Sequence, residues 1–460
     1  MLSICDPRCT RRAFLQVGGM TLGGLTLPTL LVQQARAAAD RLVRDKSVVL
    51  LFMHGGPSQI ETFDPKMQAS AEVRSATGEV STRTPGVTFG GTFAKLARLS
   101  DQLAIVRSFV TGDGNHDIKP LVSRATFGAN LGSIFAHVAG LNDPATGMPT
   151  NAALFPRTVD PSTQPANLNF GNFAATGSLS AACAPFIPGG GGTLQQDMKL
   201  KLPLARLDDR RHLLQGLDRV QAALDAASSL GLDAQRDKAF RIILGGVSDA
   251  FDLAKEDPRI VARYDTAPLV RPENINKKWN NHKNYADNAK SLGKLLLLAR
   301  RLCERGCGFV TVTTNFVWDM HADVNNAGVA EGMRYMGLPF DHAVSTFLED
   351  VEARGLSDKI LLVCCGEMGR TPRINKNGGR DHWGNLAPLL LAGGGLRMGQ
   401  VIGRSTRDGA EPATPPVTIQ HLIATILHTL LDVGKLRVLR GLPRELLPLT
   451  EWQPIAGLHA

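Results

Sequence analysis

Aromatic residues are scarce in this 460-residue chain, at 5% of positions, and cysteines number only seven. Rings this rare, with no basic stripe beside them, exclude the stacking platform and cationic track that hold single-stranded nucleic acid. The basic residues stand singly or in pairs such as Arg210-Arg211 and Arg300-Arg301, so no nucleic-acid partner is expected. Cys5 and Cys9 sit near the start, which leaves Cys183, Cys303, Cys307, Cys364 and Cys365 for the body of the chain. An odd number without framework spacing excludes a disulfide-built scaffold. Cys364 and Cys365 close an apolar run and read as buried small hydrophobes. Cys303 and Cys307 leave a local bridge and two buried thiols as alternatives. Also missing is an apolar stretch of the roughly 20 residues needed to cross a bilayer, so no stable membrane span is expected. There is no Gly-x-Ser-x-Gly elbow, no P-loop, no His-Glu-x-x-His and no Gly-x-Gly-x-x-Gly after a strand.

The opening residues carry a different message. "CTRRAFLQVGGMTLGGLTLPTLLVQQARAAAD" joins Arg11-Arg12 to a glycine-interrupted apolar run and a small-residue Ala35-Arg36-Ala37 site. That is the pattern of a twin-arginine export signal, expected over residues 1–39, with the translocase as a transient partner. A membrane anchor is the rival, but the run from Val17 to Val32 is short for a span. Without residues 1–39, and so without Arg8, Arg11, Arg12 and Arg36 against Asp6, the formal charge of +9 falls to about +6. A weakly basic periplasmic or extracellular protein is the expectation.

With 43% hydrophobic residues the remainder can bury a large core. Strand-like apolar runs are predicted at Val48–Met53, Leu103–Val106, Gly308–Thr313, Ile360–Cys364 and Ala387–Ala392. Helical patterns fall at Leu131–Val138, Tyr285–Cys303, Phe340–Arg354 and Ile419–Leu431. Near-continuous apolar strands alternating with amphipathic helices indicate one α/β domain over residues 40–460, built on a mostly parallel sheet. A helical insertion is expected over about 157–283, including a long helix over 204–231.

Ligands of such sheets bind beyond the carboxyl ends of the strands, and the loops there are rich in metal-competent side chains. "TNFVWDMHADVNN" offers Asp319 and His321, and "GEMGRTPRINKNGGRDHWGN" offers Glu367, Arg370, Asp381 and His382. "TGDGNHDIKP" offers Asp113, His116 and Asp117. Imidazole and carboxylate together suit zinc, manganese or iron. The first strand runs into "MHGGPSQIETFDPK", where two glycines are followed by Ser58, Glu61 and Asp64. His54-Gly55-Gly56 resembles an esterase oxyanion turn, but no elbow follows to supply its nucleophile.

"LLFMHGGPSQIETFDPK", "FVWDMHAD", "CGEMGRTPRINKNGGRDHWGNLAPLLLAGGG" and "PPVTIQHLIATILHTLL" together resemble the domain-of-unknown-function 1501 family. That family is similar to the alkaline phosphatase and sulfatase superfamily. The resemblance implies an alkaline-phosphatase-like three-layer sandwich, with helices on both faces of the sheet and one or two divalent metals (zinc, manganese or calcium). It implies a metal set of Asp319, His321, His382 and Glu367, with Glu61 a further candidate. His116, Arg370 and Ser58 are the catalytic candidates, with His116 as acid/base and Arg370 near a substrate anion. The implied activity is metal-dependent hydrolysis of a phosphate or sulfate ester of a small molecule. Two departures matter. The superfamily's nucleophile position falls in "GNHDIKPLVSRATFG", without a hydroxyl at the expected place. Gln59 and Glu61 stand where relatives commonly carry His and Asp. A noncatalytic exported scaffold or binding protein, with an exported protein as partner, is the alternative.

Overall fold

The computed structural model describes residues 42–189, 247–438 and 443–459. The expected signal at 1–39 and the long helix expected over 204–231 lie outside the described residues.

Seven strands form the central sheet: β1 Ser47–Phe52, β2 Ala104–Val106, β3 Asn151–Leu154, β4 Phe309–Thr313, β5 Ile360–Cys365, β6 Leu389–Gly393 and β7 Gln400–Ile402. Their spatial order is β7-β2-β6-β5-β1-β4-β3. β1 pairs in parallel with β4 and β5, β3 with β4, and β7 with β2; β6 runs antiparallel to both its neighbours. This is the mostly parallel α/β sheet expected from the sequence.

The strands read as continuous apolar runs because both faces are covered. Along β1, Val49 and Leu51 enter one core while Val48, Leu50 and Phe52 enter the other. β5 repeats the split, with Leu362 and Cys364 on one side and Leu361, Val363 and Cys365 on the other. Four long helices supply the outer layers: α1 Leu131–Ala139, α2 His282–Glu304, α3 Val329–Ala353 and α4 Ile419–Leu430. α2 and α3 close the first core with Leu292, Leu295, Phe340 and Phe347, and α1 and α4 close the second with Ile134, Phe135, Ile423 and Ile426. Each fully buried side chain of this kind contributes about 1.5–3 kcal/mol.

Two expectations needed correction. β3 and β7 went unrecognised, being edge strands of four and three residues. α3 starts at Val329, not Phe340, and passes through Pro339. The proline costs one backbone hydrogen bond, but buried Val329, Met333 and Met336 hold the earlier turns against the core. Within the expected insertion, the described residues 247–281 form only short helices, at Ser248–Phe251, Pro258–Arg263 and Ala267–Val270. Of the cysteines, Cys303 is a deeply buried thiol whose ionisation is pushed well up by burial and by neighbouring Cys307. Among the described residues no helix is long and apolar enough to cross a membrane.

Candidate metal centre

The loops that leave the carboxyl ends of β1, β2, β4 and β5 meet above the sheet. The antiparallel β6 begins at the same edge, since Leu389 pairs with Val106 and Cys365, the last residues of β2 and β5. Residues far apart in sequence therefore reach one point: His116 after β2, Asp319 and His321 after β4, Glu367 and Arg370 after β5, and His382 before β6.

At that point stands the carboxylate of Asp319. Its Oδ1 lies 2.7 Å from His321 Nε2, 3.4 Å from His382 Nε2 and 3.5 Å from His116 Nε2. The Nε2 atoms of His321 and His382 are themselves 3.3 Å apart. One ligand atom from each of these four residues fits within a span of 4.8 Å. The other oxygen, Oδ2, accepts a 2.9 Å hydrogen bond from Asn326 Nδ2. Burial pushes the Asp319 carboxyl up, but the adjoining imidazoles of His116, His321 and His382 and the charge of Arg370 outweigh it, and the group is held far below the usual carboxylate range.

Glu367 lies behind His116 and is fully buried. It accepts the backbone N–H of Gly55 at 2.9 Å and faces His116 Nδ1 at 3.0 Å. Burial lowers the proton affinity of His116, whereas the carboxylates of Asp319 and Glu367 beside it raise it and prevail. The Gly55 contact explains the first glycine of the opening loop. Gly55 has φ +114°, and a Cβ there would stand 2.6 Å from the backbone nitrogen of Asp319. Only a residue without a side chain brings β1's loop this close to the centre.

Five sequence expectations read differently at this site: Glu367, expected as a metal ligand, stands outside the four-residue cluster, and His116, expected as an acid/base, stands within it; the other three are Arg370, Glu61 and Ser58. Arg370 was expected to face a substrate anion. It is buried, with four of its five N–H groups engaged: it donates to Gly55 O, to Gly56 O at 2.7 Å, to Arg380 O at 3.2 Å and to Asp319 Oδ1 at 2.6 Å. It orients Asp319 from the protein side. Glu61 was a metal candidate. It is fully buried away from the cluster, where its Oε1 pairs with Arg380 Nη2 at 2.8 Å and its Oε2 accepts from Ser75 Oγ at 2.8 Å. Ser58 was a catalytic candidate. Its Oγ instead receives the N–H groups of Ile60 and Glu61, closing the turn after the glycines. Gln59 is a clamp: it donates to Arg370 O and accepts from Arg370 N.

Two features escaped the sequence reading. Asn326, seven residues beyond Asp319, had no signal beyond polarity. The aromatic wall did have one, because in a chain this poor in rings Phe170 and Phe316 stack at 4.3 Å beside the centre. Phe316 packs edge-on against His116 at 4.6 Å and against His54 at 5.0 Å. His54 is enclosed by Phe52, Phe173 and these rings, its Nε2 makes no hydrogen bond, and burial lowers its pKa to about 4. It is a neutral imidazole.

Fold and cluster together define an α/β protein with an imidazole–carboxylate centre at the carboxyl ends of its strands. The chain belongs to the family described as "Protein of unknown function (DUF1501)", which matches residues 45–442. Among solved structures it is similar to the PsFucS1 sulfatase from Pseudoalteromonas sp., with 10% identity over 86% of this chain and 69% of that one, at a TM-score of 0.36. It is also similar to the phosphonate monoester hydrolase SpPMH from Silicibacter pomeroyi, with 11% identity over 84% and 73% of the two chains, at a TM-score of 0.29. A third is the lipoteichoic acid synthase LtaP from Listeria monocytogenes, with 8% identity over 86% and 77%, at a TM-score of 0.26. At these scores the likenesses carry no weight for the chemistry of this chain. No match was found among curated proteins.

Proposed function

We propose that this chain is an exported, metal-dependent hydrolase of phosphate or sulfate esters of small molecules, with His116, Asp319, His321 and His382 as the metal ligands. The observation that carries the reading is the convergence of imidazole Nε2 atoms on one carboxylate oxygen. An oxygen with two lone pairs cannot satisfy His116, His321, His382 and Arg370 together, and His116 Nε2 is buried without a hydrogen bond. A cation among these atoms would give each nitrogen lone pair a partner. Nitrogen-rich donors favour zinc or manganese over calcium, which takes oxygen ligands. When bound, the ion supplies Lewis acidity toward the oxygens of the ester.

The chain's own groups prepare that chemistry. Glu367 holds the proton of His116 at Nδ1, so that Nε2 presents its lone pair to the centre. Arg370 and Asn326 fix the two oxygens of Asp319. The Phe170–Phe316 wall and neutral His54 exclude water from one side and lower the local dielectric, which strengthens each electrostatic contact. Among the described residues no serine, threonine or cysteine side chain hydrogen-bonds to the four cluster residues. We therefore place no covalent intermediate on the described residues and assign transfer to water directly.

The absence of such a nucleophile among the described residues, with Arg370 committed to the protein, favours one second reading: a noncatalytic exported scaffold or binding protein with a protein partner, with or without a structural metal. Protein prepared through its native export route separates the two. Bound metal with turnover of aryl phosphates or aryl sulfates, abolished in His382→Ala, supports the hydrolase. Bound metal without turnover of either class supports the binding protein, and absence of metal removes the hydrolase.

A further inference from the structure

The loop that delivers His116 is organised around a cation of its own. Asp113, Asn115 and Asp117 alternate along it, and they present three oxygens to one point. In many proteins such a run of alternate oxygens encloses a bound calcium ion. Here the point is taken by the ammonium of Lys119, which donates to Asp113 Oδ1 at 2.8 Å, to Asp117 Oδ2 at 3.1 Å and to the Asn115 carbonyl at 3.3 Å. An ammonium has three N–H donors, and all three are used. The Lys119 side chain is 5% exposed, although Asp113 and Asp117 are 53% and 42% exposed.

Each caged carboxylate also holds a backbone amide of the same loop. Asp113 Oδ1 accepts from Asn115 N at 2.9 Å, and Asp117 Oδ1 from Lys119 N at 2.9 Å. The ammonium thus ties together the residues on either side of His116. The loop also has no slack against the segment carrying His382. A Cβ on Gly114 would meet His382 Cβ at 3.1 Å, and one on Gly384 would lie 2.4 Å from the Asp113 carbonyl carbon. Thr111 and Gly112 both donate their N–H groups to Gly384 O.

We propose that Lys119 is a built-in cation that folds the Asp113–Asp117 loop and so presents His116 to the Asp319 cluster, a positioning residue for the metal centre. The role at the centre rests on the metal reading above; the role in the loop does not. Without the ammonium the two carboxylates repel each other across His116, and the loop amides lose fixed acceptors. Lys119 also neutralises oxygens that would otherwise compete with the histidines for a divalent ion.

The test uses the full chain and Zn2+ alone, followed by calorimetry, with backbone hydrogen exchange at Asn115 and Lys119 as a metal-free readout. Lys119→Ala is expected to bind Zn2+ about 10–100-fold more weakly, the range for loss of a group that orients a ligand. Propylammonium fits the space vacated by the side chain and is expected to restore most of the affinity. Lys119→Met, which keeps the apolar stem without the charge, should show the same weakening without rescue. The exchange at the Asn115 and variant 119 amides should quicken in both variants and slow again with propylammonium in Lys119→Ala. Unchanged Zn2+ affinity together with unchanged exchange would overturn the proposal. If the unaltered protein binds no Zn2+, the metal reading fails and exchange alone decides: faster exchange reversed by propylammonium supports Lys119 as the loop's cation, and unchanged exchange refutes it.

Discussion

The pair formed by Glu61 and Arg380 is the sharpest place to perturb the centre from outside it. Both side chains are fully buried, with Arg380 Nε and Nη2 at 3.0 and 2.8 Å from the same Glu61 oxygen. Arg380 also donates to the carbonyls of Val73 and Arg74 and to that of Pro372, so it joins the loop after β1 to the loop that carries His382 two residues on. Burial lowers the Arg380 pKa, and the Glu61 carboxylate opposes that shift. Glu61→Gln keeps the shape but leaves the guanidinium charge without a counter-ion. Breaking a buried pair from one side costs about 3–5 kcal/mol, a large part of the roughly 5–15 kcal/mol that holds a typical domain. Urea denaturation followed by fluorescence reads the loss, and Zn2+ calorimetry on the folded variant should show weaker binding as the His382 loop loosens. Arg380→Met combined with Glu61→Leu should recover part of the stability, because no unpaired charge then remains. A loss below about 1 kcal/mol in Glu61→Gln would show that the pair behaves as a surface ion pair and would refute the reasoning.

Three further outcomes are expected. Asp341 accepts the N–H groups of Lys95 and Leu96, and burial pushes its carboxyl up to about 6, against 3.8 unperturbed. The folded state therefore binds this proton more tightly than the unfolded state, so its contribution to stability is complete below about pH 4 and is lost as pH rises through about 6. Thermal melting across that window should fall more steeply for the unaltered protein than for Asp341→Asn, and equal slopes would contradict the assignment. Gly55→Ala forces a side chain onto the Asp319 backbone at positive φ and should cost about 1–3 kcal/mol in urea denaturation, with weaker Zn2+ binding. Glu367→Gln should weaken Zn2+ binding about 10–100-fold in calorimetry while the fold, followed by circular dichroism, persists; unaltered affinity would remove Glu367 as the group that orients His116.

What could be read from the sequence follows from where each signal resides. β1, β4 and β5 are buried on both faces and spell themselves as apolar runs. β3, "NAAL", and β7, "QVI", are edge strands whose pairing, not composition, makes them strands. Asp319, His321 and His382 were legible because their loops adjoin strongly marked strands. The roles of Glu61, Ser58 and Arg370 were not, because a side chain's partner decides its role and those partners lie elsewhere in the chain. Glu61 and Arg380 are 319 residues apart, and Arg370 and Gly55 are separated by 315. A carboxylate beside a glycine turn has the same sequence signature whether it meets a metal or a buried guanidinium. Lys119 shows the same limit, since only the folded loop reveals that its ammonium fills a cage of oxygens.

The central claim is that His116, Asp319, His321 and His382 form a metal centre, and metal content tests it most directly. Inductively coupled plasma mass spectrometry of protein purified through its native export route, without added metal, should find about one zinc or manganese ion per chain. The ion should be lost in Asp319→Asn and His382→Ala variants that remain folded. Absence of a divalent ion from the unaltered protein, or retention of a full equivalent by both variants, would contradict it.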